Sequence, residues 1–446
     1  MIKNKSNNPL KSTAKEIFGW CMFDFANSSF TTIIITAVFN AYFVTVVVSE
    51  ELFGKGYGEF LWGSVAIPIS YFLVILTGPI LGAIADFSGS KKKFLFASYL
   101  LCVTFTSFLF FIKEGDIVPA IILIIISNFG FASGENFASA FLPELADRED
   151  MGKVSGYAWS FGYWGGLLSL GCCLALILFM KDLNDKTLPI RLSALVSAAF
   201  FGLGAIPTFL WLKERKCTEK MPQDYNYFTI GFKRLHETYQ SVKQFKELIK
   251  FLIIFLIFNS GVMVVITFAA IYAVHVLDFT IEENIILIII VNVTASVGAF
   301  IFGFIQDKIG SKKTIIITLL LWLATVTWAY FAYTKNSFWM LANIAGLALG
   351  STQSASRAMV GLFSPESKSG EFFGFWGLAG KIGAIIGPMT FGLLVLATDG
   401  NQRFAILATG VFFVIGIIGM FFCNEGDGIK SAKMYDWNHE NPEKIL

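Results

Sequence analysis

Long apolar stretches recur along nearly the whole of this chain of 446 residues. A helix needs about 20 mostly apolar residues to cross the hydrocarbon core of a membrane, and a segment in lipid must satisfy its own backbone polar groups. The sequence therefore predicts an all-α membrane protein with twelve transmembrane helices. The twelve stretches lie near 17–48, 62–85, 94–112, 117–141, 154–180, 190–212, 250–277, 285–306, 314–334, 338–362, 371–397 and 404–423.

Composition and charge narrow the range of functions. Charged residues make up 15% of the chain, whereas a soluble globular protein has about 25%. The formal net charge of +2 gives no indication of a nucleic-acid partner. The six cysteines have neither metal-site spacing nor a secreted disulfide framework. No nucleophile–base pair stands out, so the sequence predicts no enzyme, no metal site and no cofactor.

The basic residues predict the orientation and the domain division. Most of the 34 lysines and arginines fall on one side of the membrane, together with both chain ends. Basic loops stay in the cytoplasm, so both termini are predicted to be cytoplasmic. The longest polar break divides the chain into an N-terminal six-helix half (1–212), a linker (213–249), a C-terminal six-helix half (250–423) and a cytoplasmic tail (424–446).

Within the linker, apolar residues recur at three- and four-residue spacing. This spacing predicts an amphipathic helix on the inner membrane surface. A passive linker and a regulatory lipid-binding helix both fit the pattern. The apolar residues are Phe232, Leu235, Tyr239, Val242, Phe245 and Ile249.

One loop pattern, Gly-x-x-x-Asp-x-x-Gly-x-Lys, occurs twice, and the copies are 221 residues apart. Each copy lies in an inner loop, after the second and after the eighth predicted span, which indicates two repeated halves. The first copy is Gly82, Asp86, Gly89 and Lys91, and the second is Gly303, Asp307, Gly310 and Lys312.

The residue types of this pattern suit a gate. Glycines let two helices approach closely, and an aspartate can accept hydrogen bonds from the N-terminus of a neighbouring helix. Asp86 and Asp307 are therefore predicted to be gating residues that stabilise one conformation, and not solute ligands. The alternative is an ordinary turn followed by lysines that remain in the cytoplasm.

Ionisable residues inside the predicted spans indicate a polar cavity. Each costs about 2.5 to 3.5 kcal/mol on insertion scales, so each needs a function or a partner. Polar residues lie along one face of the first, fourth, seventh and tenth spans, with a lysine in the eleventh. The predicted solute and coupling residues are Asp24, Asn27, Asn128, Glu135, Asn136, Asn259, Gln353, Arg357 and Lys381.

Glu135 and Arg357 occupy equivalent depths in the two predicted halves, because they and the prolines that end their spans are both 222 residues apart. We expect them to pair across the cavity, or to bind the ammonium and carboxylate of a zwitterion. Lys381 is a second candidate for an anionic group. The alternative is that each charge is a fixed internal salt-bridge partner.

Twelve spans in a six-plus-six arrangement, with this loop motif in both halves, resemble the major facilitator superfamily. The resemblance implies two halves that rock about a central site, with the first, fourth, seventh and tenth spans lining the cavity. It also implies that Asp86 meets the start of the eleventh span near Ser369 to Glu371. Asp307 would meet the start of the fifth near Lys153 to Gly156.

A narrower resemblance comes from the segment Gly19-Trp20-Cys21-Met22-Phe23-Asp24-Phe25-Ala26-Asn27-Ser28. It is similar to the first-span signature of the vacuole effluxer family of autophagy-related permeases and their bacterial relatives. The resemblance implies a small zwitterion such as an amino acid as the solute. The long tails of the fungal members are missing, and a bacterial member would lie in the plasma membrane.

The sequence thus predicts a monomeric secondary transporter that works by alternating access within membrane lipid. No Walker-type phosphate loop is present to couple it to ATP. Uniport and proton coupling both remain, with Asp24 or Glu135 as the protonatable group. The alternatives are another small solute (a sugar, nucleoside, organic acid or peptide) and a membrane scaffold or sensor without flux.

Overall fold

The computed structural model describes residues 12–49, 51, 57–180, 185, 187–215 and 244–440, and the regular elements within these ranges are helices. We call residues 14–211 the N-terminal helices. Their α-helices are α1 (Ala14–Ser29), α2 (Phe39–Tyr42), α3 (Tyr57–Phe60), α4 (Ile67–Ser88), α5 (Lys91–Phe108), α6 (Ile117–Ser139), α7 (Leu142–Leu145), α8 (Met151–Phe179), α9 (Leu188–Gly204) and α10 (Ile206–Trp211).

The remaining helices belong to the second part of the chain. We call residues 246–422 the C-terminal helices and residues 425–440 the tail helix. Their bounds are α11 (Lys246–Leu277), α12 (Ile281–Ile309), α13 (Ser311–Phe331), α14 (Lys335–Phe363), α15 (Ser369–Ala397), α16 (Gln402–Ala408), α17 (Gly410–Phe422) and α18 (Glu425–Glu440). The predicted linker helix falls mostly on residues 216–243, which lie outside the described residues.

Eleven helical segments in the described part of the chain are long and apolar enough to cross a membrane. The twelfth predicted stretch, 338–362, lies within α14, a helix of 29 residues that is not among the eleven. Its second half carries a dense run of polar residues around Gln353 and Arg357. The same residues that make α14 a candidate cavity helix therefore lower its hydropathy.

The first span is not a regular α-helix along its whole length. It is α-helical as far as Ser29 and then continues as a π-helix over Phe30–Ala37, followed by α2 and a second π-helix over Phe43–Val47. In the first π segment the Val38 N–H bonds the Ile33 carbonyl, five residues back. Insertions of this kind inside α-helices are often found at functional sites.

Two motif glycines shape the turns after the second and eighth spans. Gly89 has φ 53° and ends α4, and Gly310 has φ 93° and precedes α13. Both values lie in the region that side chains disfavour, so glycine is needed for the chain to reverse there. We call the end of the bundle that carries these turns, with Asp86 and Asp307, the motif end.

Glycines also set the closest packing between the N-terminal and C-terminal helices. A methyl group on Gly82 of α4 would overlap the Gly370 carbonyl oxygen of α15, and one on Gly374 would lie 2.7 Å from the Gly78 oxygen. In the equivalent contact of α8 with α12, a methyl group on Gly303 would lie 2.8 Å from the Gly152 oxygen. Both helix pairs therefore touch backbone to backbone at the motif end.

Farther along α8 and α15, two glycines have open space where a Cβ would lie. Gly171 on α8 and Gly392 on α15 have no atom within 4 Å of the position that a Cβ would take. Both residues lie toward the end of the bundle opposite the motif end. The glycine–glycine contacts between the N-terminal and C-terminal helices are thus at the motif end, whereas Gly165 and Gly387 pack against backbone in their own part of the chain.

Candidate solute site and loop contacts

Arg357 on α14 reaches across to the N-terminal helices. Its Nη1 donates to Asp24 Oδ2 of α1 at 2.6 Å. Its Nε donates to the Ser155 hydroxyl at 3.2 Å, and its Nη2 to the Ser155 carbonyl oxygen at 3.0 Å, both on α8. One guanidinium thus joins three helices, and its fork geometry satisfies several acceptors at once.

Two indole rings enclose this guanidinium. Its central carbon lies 5.0 Å from the Trp20 ring centre and 5.2 Å from that of Trp159. Trp20 is itself fixed by a 2.7 Å hydrogen bond from its Nε1 to the Ala138 carbonyl oxygen. The Arg357 side chain is only 3% exposed, so water and solute have little access to it.

A second ion pair within the helix bundle joins α6 to α15, between Glu135 and Lys381. Lys381 Nζ lies 3.5 Å from Glu135 Oε2 and 4.9 Å from the ring centre of Tyr71 on α4. The side chains are 18% exposed for the lysine and 30% for the glutamate. This pair is longer and more accessible than the pair of Asp24 with Arg357.

The expected pairing of Glu135 with Arg357 was wrong, because each has a different partner. Arg357 bonds Asp24, and Glu135 faces Lys381. The repeat gives equal depth in the membrane but does not give the direction in which a side chain points around its helix. α14 packs against α8, which supplies Ser155, whereas α15 packs against α4 and α6.

The predicted asparagines mostly connect helices. Asn128 Nδ2 donates to the Ser70 hydroxyl at 2.6 Å, and Asn259 Nδ2 donates to the Gly380 carbonyl oxygen at 3.4 Å. The Asn136 side chain fills the space that a Cβ on Gly377 would need. Within the described residues, Asn136 Nδ2 is buried without a hydrogen-bond partner.

The other two predicted cavity residues are buried as well. Asn27 is 5% exposed and Gln353 is 8% exposed. Neither residue contacts the two ion pairs through a described hydrogen bond. The structure therefore brings Asp24 to Arg357 and Glu135 to Lys381, and leaves Asn27 and Gln353 outside these two contacts.

The first loop motif bonds the start of α15, as the resemblance implied. Asp86 Oδ1 accepts the Gly370 N–H at 3.0 Å, and its Oδ2 accepts the Glu371 N–H at 2.9 Å. Free N–H groups and the helix dipole favour a carboxylate at a helix start. The expected contact of Asp86 with residues 369–371 is thus present.

The second loop motif makes the equivalent contact with α8. Asp307 Oδ1 accepts the Gly152 N–H at 2.8 Å, and its Oδ2 accepts the Lys153 N–H at 2.9 Å. The contact begins one residue before the expected range. The two copies therefore hold two helix starts, each in the other part of the chain.

The motif lysines differ between the copies. Lys91 is buried and bonds Glu144 Oε1 at 2.7 Å and the Ser369 hydroxyl at 2.6 Å, with Asp86 at 3.2 Å. Lys312 instead donates to the carbonyl oxygens that end α17. The first lysine thus connects the two parts of the chain, and the second braces only the C-terminal helices.

Several contacts were not predicted from the sequence. Ser155, Trp159 and Tyr71 surround the ion pairs, and none of them has a spacing that marks it. The glycines at the helix crossings did leave a signal. Gly152-x-x-x-Gly156 and Gly370-x-x-x-Gly374 open α8 and α15, two spans that correspond in the repeat.

Comparison with known proteins agrees with this architecture. The family described as "Vacuole effluxer Atg22 like" matches residues 64–433. The "Uncharacterized MFS-type transporter YxiO" of Bacillus subtilis is 28% identical over 93% of this chain and 96% of its own length. "Autophagy-related protein 22" of Yarrowia lipolytica is 22% identical over 67% of this chain and 55% of its own length.

Solved structures share the fold at low sequence identity. The human organic anion transporter MFSD10 (TETRAN) superposes with a TM-score of 0.71 at 11% identity, covering 93% of this chain and 100% of that one. The proton:xylose symporter XylE gives 0.71 at 15% identity, with 94% and 98% covered. The family match covers most of the sequence, and the fold matches cover nearly all of it. The chain therefore belongs to the Atg22-like vacuole effluxer family and has the fold of the major facilitator superfamily.

Proposed function

We propose that this protein is a secondary transporter that moves an amino acid or a similar small zwitterion across the membrane by alternating access. The observation that carries the proposal is the accessible pair of Glu135 and Lys381, which joins the N-terminal to the C-terminal helices. The enclosed pair of Asp24 and Arg357 would then connect the two parts beside the site.

A zwitterion suits this pair electrostatically. The solute carboxylate would bind Lys381 Nζ, and its ammonium group would bind Glu135. Each buried charge would exchange one partner of opposite sign for another, so no charge would be left unpaired. A neutral sugar would leave the pair in place, and a simple anion would release Glu135 without a partner.

The architecture for this cycle is twelve spans, with α14 as the tenth and both termini in the cytoplasm. The halves would be 1–212 and 250–423, joined by the linker 213–249, with the tail at 424–446. Support comes from the basic loops of the motif end. In a bacterium the protein would work as a monomer in the plasma membrane.

The loop contacts suggest how the cycle is gated. Asp86 and Asp307 hold the motif end closed by bonding helix starts in the opposite half. If the two halves rock so that the motif end opens to the cytoplasm, these bonds would break. The glycine contacts of α4 with α15 and of α8 with α12 would separate as well. Solute would then leave or enter on that side.

Proton coupling is part of the proposal, with Asp24 or Glu135 as the protonatable group. Protonation would remove one charge from an ion pair between the halves and so weaken that connection. We expect Asp24→Asn or Glu135→Gln to abolish uphill transport driven by a pH gradient in proteoliposomes. If both variants keep full pH-driven accumulation of solute, neither carboxylate is the coupling group, and uniport or another coupling ion replaces proton coupling in the proposal.

The central test is a thermal-shift screen of the purified protein with amino acids, dipeptides, sugars, nucleosides and organic acids. A bound solute at 100 times its Kd adds about 2.7 kcal/mol of stability. We expect stabilisation by an amino acid in the parent protein and none in Lys381→Met or Glu135→Gln. Lys335→Met is the matched control, because Lys335 pairs with Glu283 away from the site.

Other outcomes of the screen would redirect the proposal. Stabilisation by a sugar or nucleoside that survives Lys381→Met would exclude the zwitterion site. Binding of an amino acid without flux in proteoliposomes would favour a membrane sensor with this fold.

A further inference from the structure

The tail helix α18 begins three residues after the end of α17, and hydrogen bonds hold its start to the C-terminal helices. Glu425 accepts the Ser311 N–H at 2.7 Å and the Lys312 N–H at 3.0 Å, so it caps the start of α13. The Asn424 N–H donates to Glu247 on α11 at 2.7 Å. These bonds fix the first turn of the tail helix to the C-terminal helices.

The middle of the tail helix is held by the other part of the chain. Arg148, in the loop before α8, donates from Nη1 to the Leu362 oxygen at 2.6 Å and to the Ile429 oxygen at 3.3 Å. Gly428 lies so close to Phe363 that a Cβ there would be 2.6 Å from the ring. One arginine of the N-terminal helices thus holds both the end of α14 and the tail helix.

The last turns of the tail helix contact the loop that precedes α15. Lys368 Nζ lies 5.3 Å from the ring centre of Tyr435, and the Glu366 N–H donates to Asp436 Oδ2 at 3.4 Å. The carbonyl oxygen of the same Glu366 lies 3.4 Å from Lys91 Nζ. The tail helix therefore positions the loop that supplies partners to the first motif.

The contacts described above, from Gly428 to Asp436, lie on one face of the tail helix. Ala432 on the inner face is fully buried, whereas Lys433 is exposed and Met434 is 60% exposed. Because the contacts lie on one face, we expect substitutions on that face to weaken the attachment of the tail helix and substitutions on the outer face to leave it intact. The outer face provides a control within the same helix.

We propose that the tail helix is a strap across the motif end, which stabilises the conformation closed at that end and whose release favours opening there. Arg148 is the residue by which the N-terminal helices hold this strap. When the halves rock apart, Arg148 must leave both Leu362 and Ile429. The inference rests on the alternating-access cycle proposed above, and it concerns a conformational balance and not the identity of the solute.

The test measures the distance across the motif end without any solute. Lys93 and Lys313 are exposed at the starts of α5 and α13, so nitroxide labels on cysteines at these two positions report the separation of the halves. The measurement uses double electron–electron resonance on the full chain with its native cysteines replaced. Variants are Arg148→Gln and the double substitution Tyr435→Ala with Asp436→Asn, and the control is Lys433→Gln with Met434→Ala.

We expect the strap variants to raise the ratio of long to short distances about tenfold, since each removes hydrogen-bond and cation–π contacts of the closed form. The outer-face control keeps the distance distribution of the parent protein. Folded strap variants with the parent's distribution would overturn the proposal. A shift of equal size in the outer-face control would also overturn it. Failure of every solute to bind would leave this result unchanged, so the two proposals fail separately.

Discussion

Arg357 donates a 2.6 Å hydrogen bond to Asp24, so an ion pair within the helix bundle joins α14 to α1. The arginine is enclosed by Trp20 and Trp159 and keeps two further bonds to Ser155. The pair of Glu135 with Lys381 is longer and more exposed. The two pairs thus differ in how tightly the surrounding side chains enclose them.

Removing the enclosed arginine should be costly. Arg357→Gln leaves Asp24 unpaired at a site where it is 14% exposed, and breaking a buried pair in this way costs about 3 to 5 kcal/mol. We expect a loss near the lower value in chemical unfolding in detergent. Asp24→Asn together with Arg357→Gln should cost less than the sum of the single variants. A loss no larger than that of Lys335→Gln, in an exposed pair, would contradict the assignment.

The first motif aspartate should control the conformational balance. Asp86→Ala removes the acceptor of two N–H groups at the start of α15, worth about 2 kcal/mol together, or about thirtyfold in the ratio of open to closed forms. Distances between labels at Lys93 and Lys313 would report this change. Asp116→Ala, at the opposite end of the bundle, should leave the ratio unchanged. Loss of solute binding with an unchanged ratio would exclude a gating role.

The glycine contact should respond to a single methyl group. Gly82→Ala places a Cβ against the Gly370 carbonyl oxygen, and such overpacking costs about 1 to 3 kcal/mol. Because the proposed opening of the motif end would separate this contact, the substitution should favour the open form in the same distance measurement. Gly392→Ala on α15 meets no atom within 4 Å and is the matched control. Equal behaviour of the two variants would exclude steric control at this crossing.

Glu214 should give the protein a pH-dependent stability. Burial raises the pKa of this carboxyl, which accepts the Lys92 N–H at 3.0 Å. The folded protein then binds the proton more tightly than the unfolded chain, so stability falls as pH rises from the ordinary glutamate pKa through the raised value. Thermal unfolding across this range should show the stability of the parent protein, relative to Glu214→Gln, decreasing with rising pH.

Glu283 provides the control of opposite sign for this measurement. Its hydrogen bond from Lys335 lowers the pKa of the Glu283 carboxyl. Its contribution is therefore present above the ordinary glutamate pKa and is lost as pH falls through the lowered value. The parent protein should gain stability relative to Glu283→Gln with rising pH. If stability relative to the glutamine variant changed with pH in the same direction for Glu214 and Glu283, the opposite pKa shifts of the two carboxyls would be contradicted.

The helices and the loop contacts could be predicted from the sequence because their causes are local or repeated. Apolar length marks each span, two copies of one loop pattern indicate two equivalent loops, and the resemblance to the major facilitator superfamily implied which helix each loop meets. The structure places Asp86 and Asp307 on the helix starts expected for them. The repeat gives two equivalent positions, and the resemblance supplied the helix start that each of them meets.

The charge pairing could not be predicted in this way. Depth along a span follows from residue number, but the partner depends on how each helix is rotated and on which helices are neighbours. For that reason Lys381 and not Arg357 faces Glu135. The contact of Arg148 with the tail helix is also between residues far apart in sequence, and no local pattern marks it.

The π-helix over Phe30–Ala37 changes how the first span tolerates changes of length. A π turn contains about one residue more than an α turn. If one residue were deleted there, the segment could return to α-helical winding while Trp20 and Asp24 kept their directions. Between Ala14 and Ser29 the helix is regular and has no extra residue to lose. A deletion there would rotate Trp20 away from Arg357. The ion pair therefore lies in the regular α-helical part of the span, where a deletion would rotate the side chains. The π-helix, which can lose a residue without this rotation, lies after it.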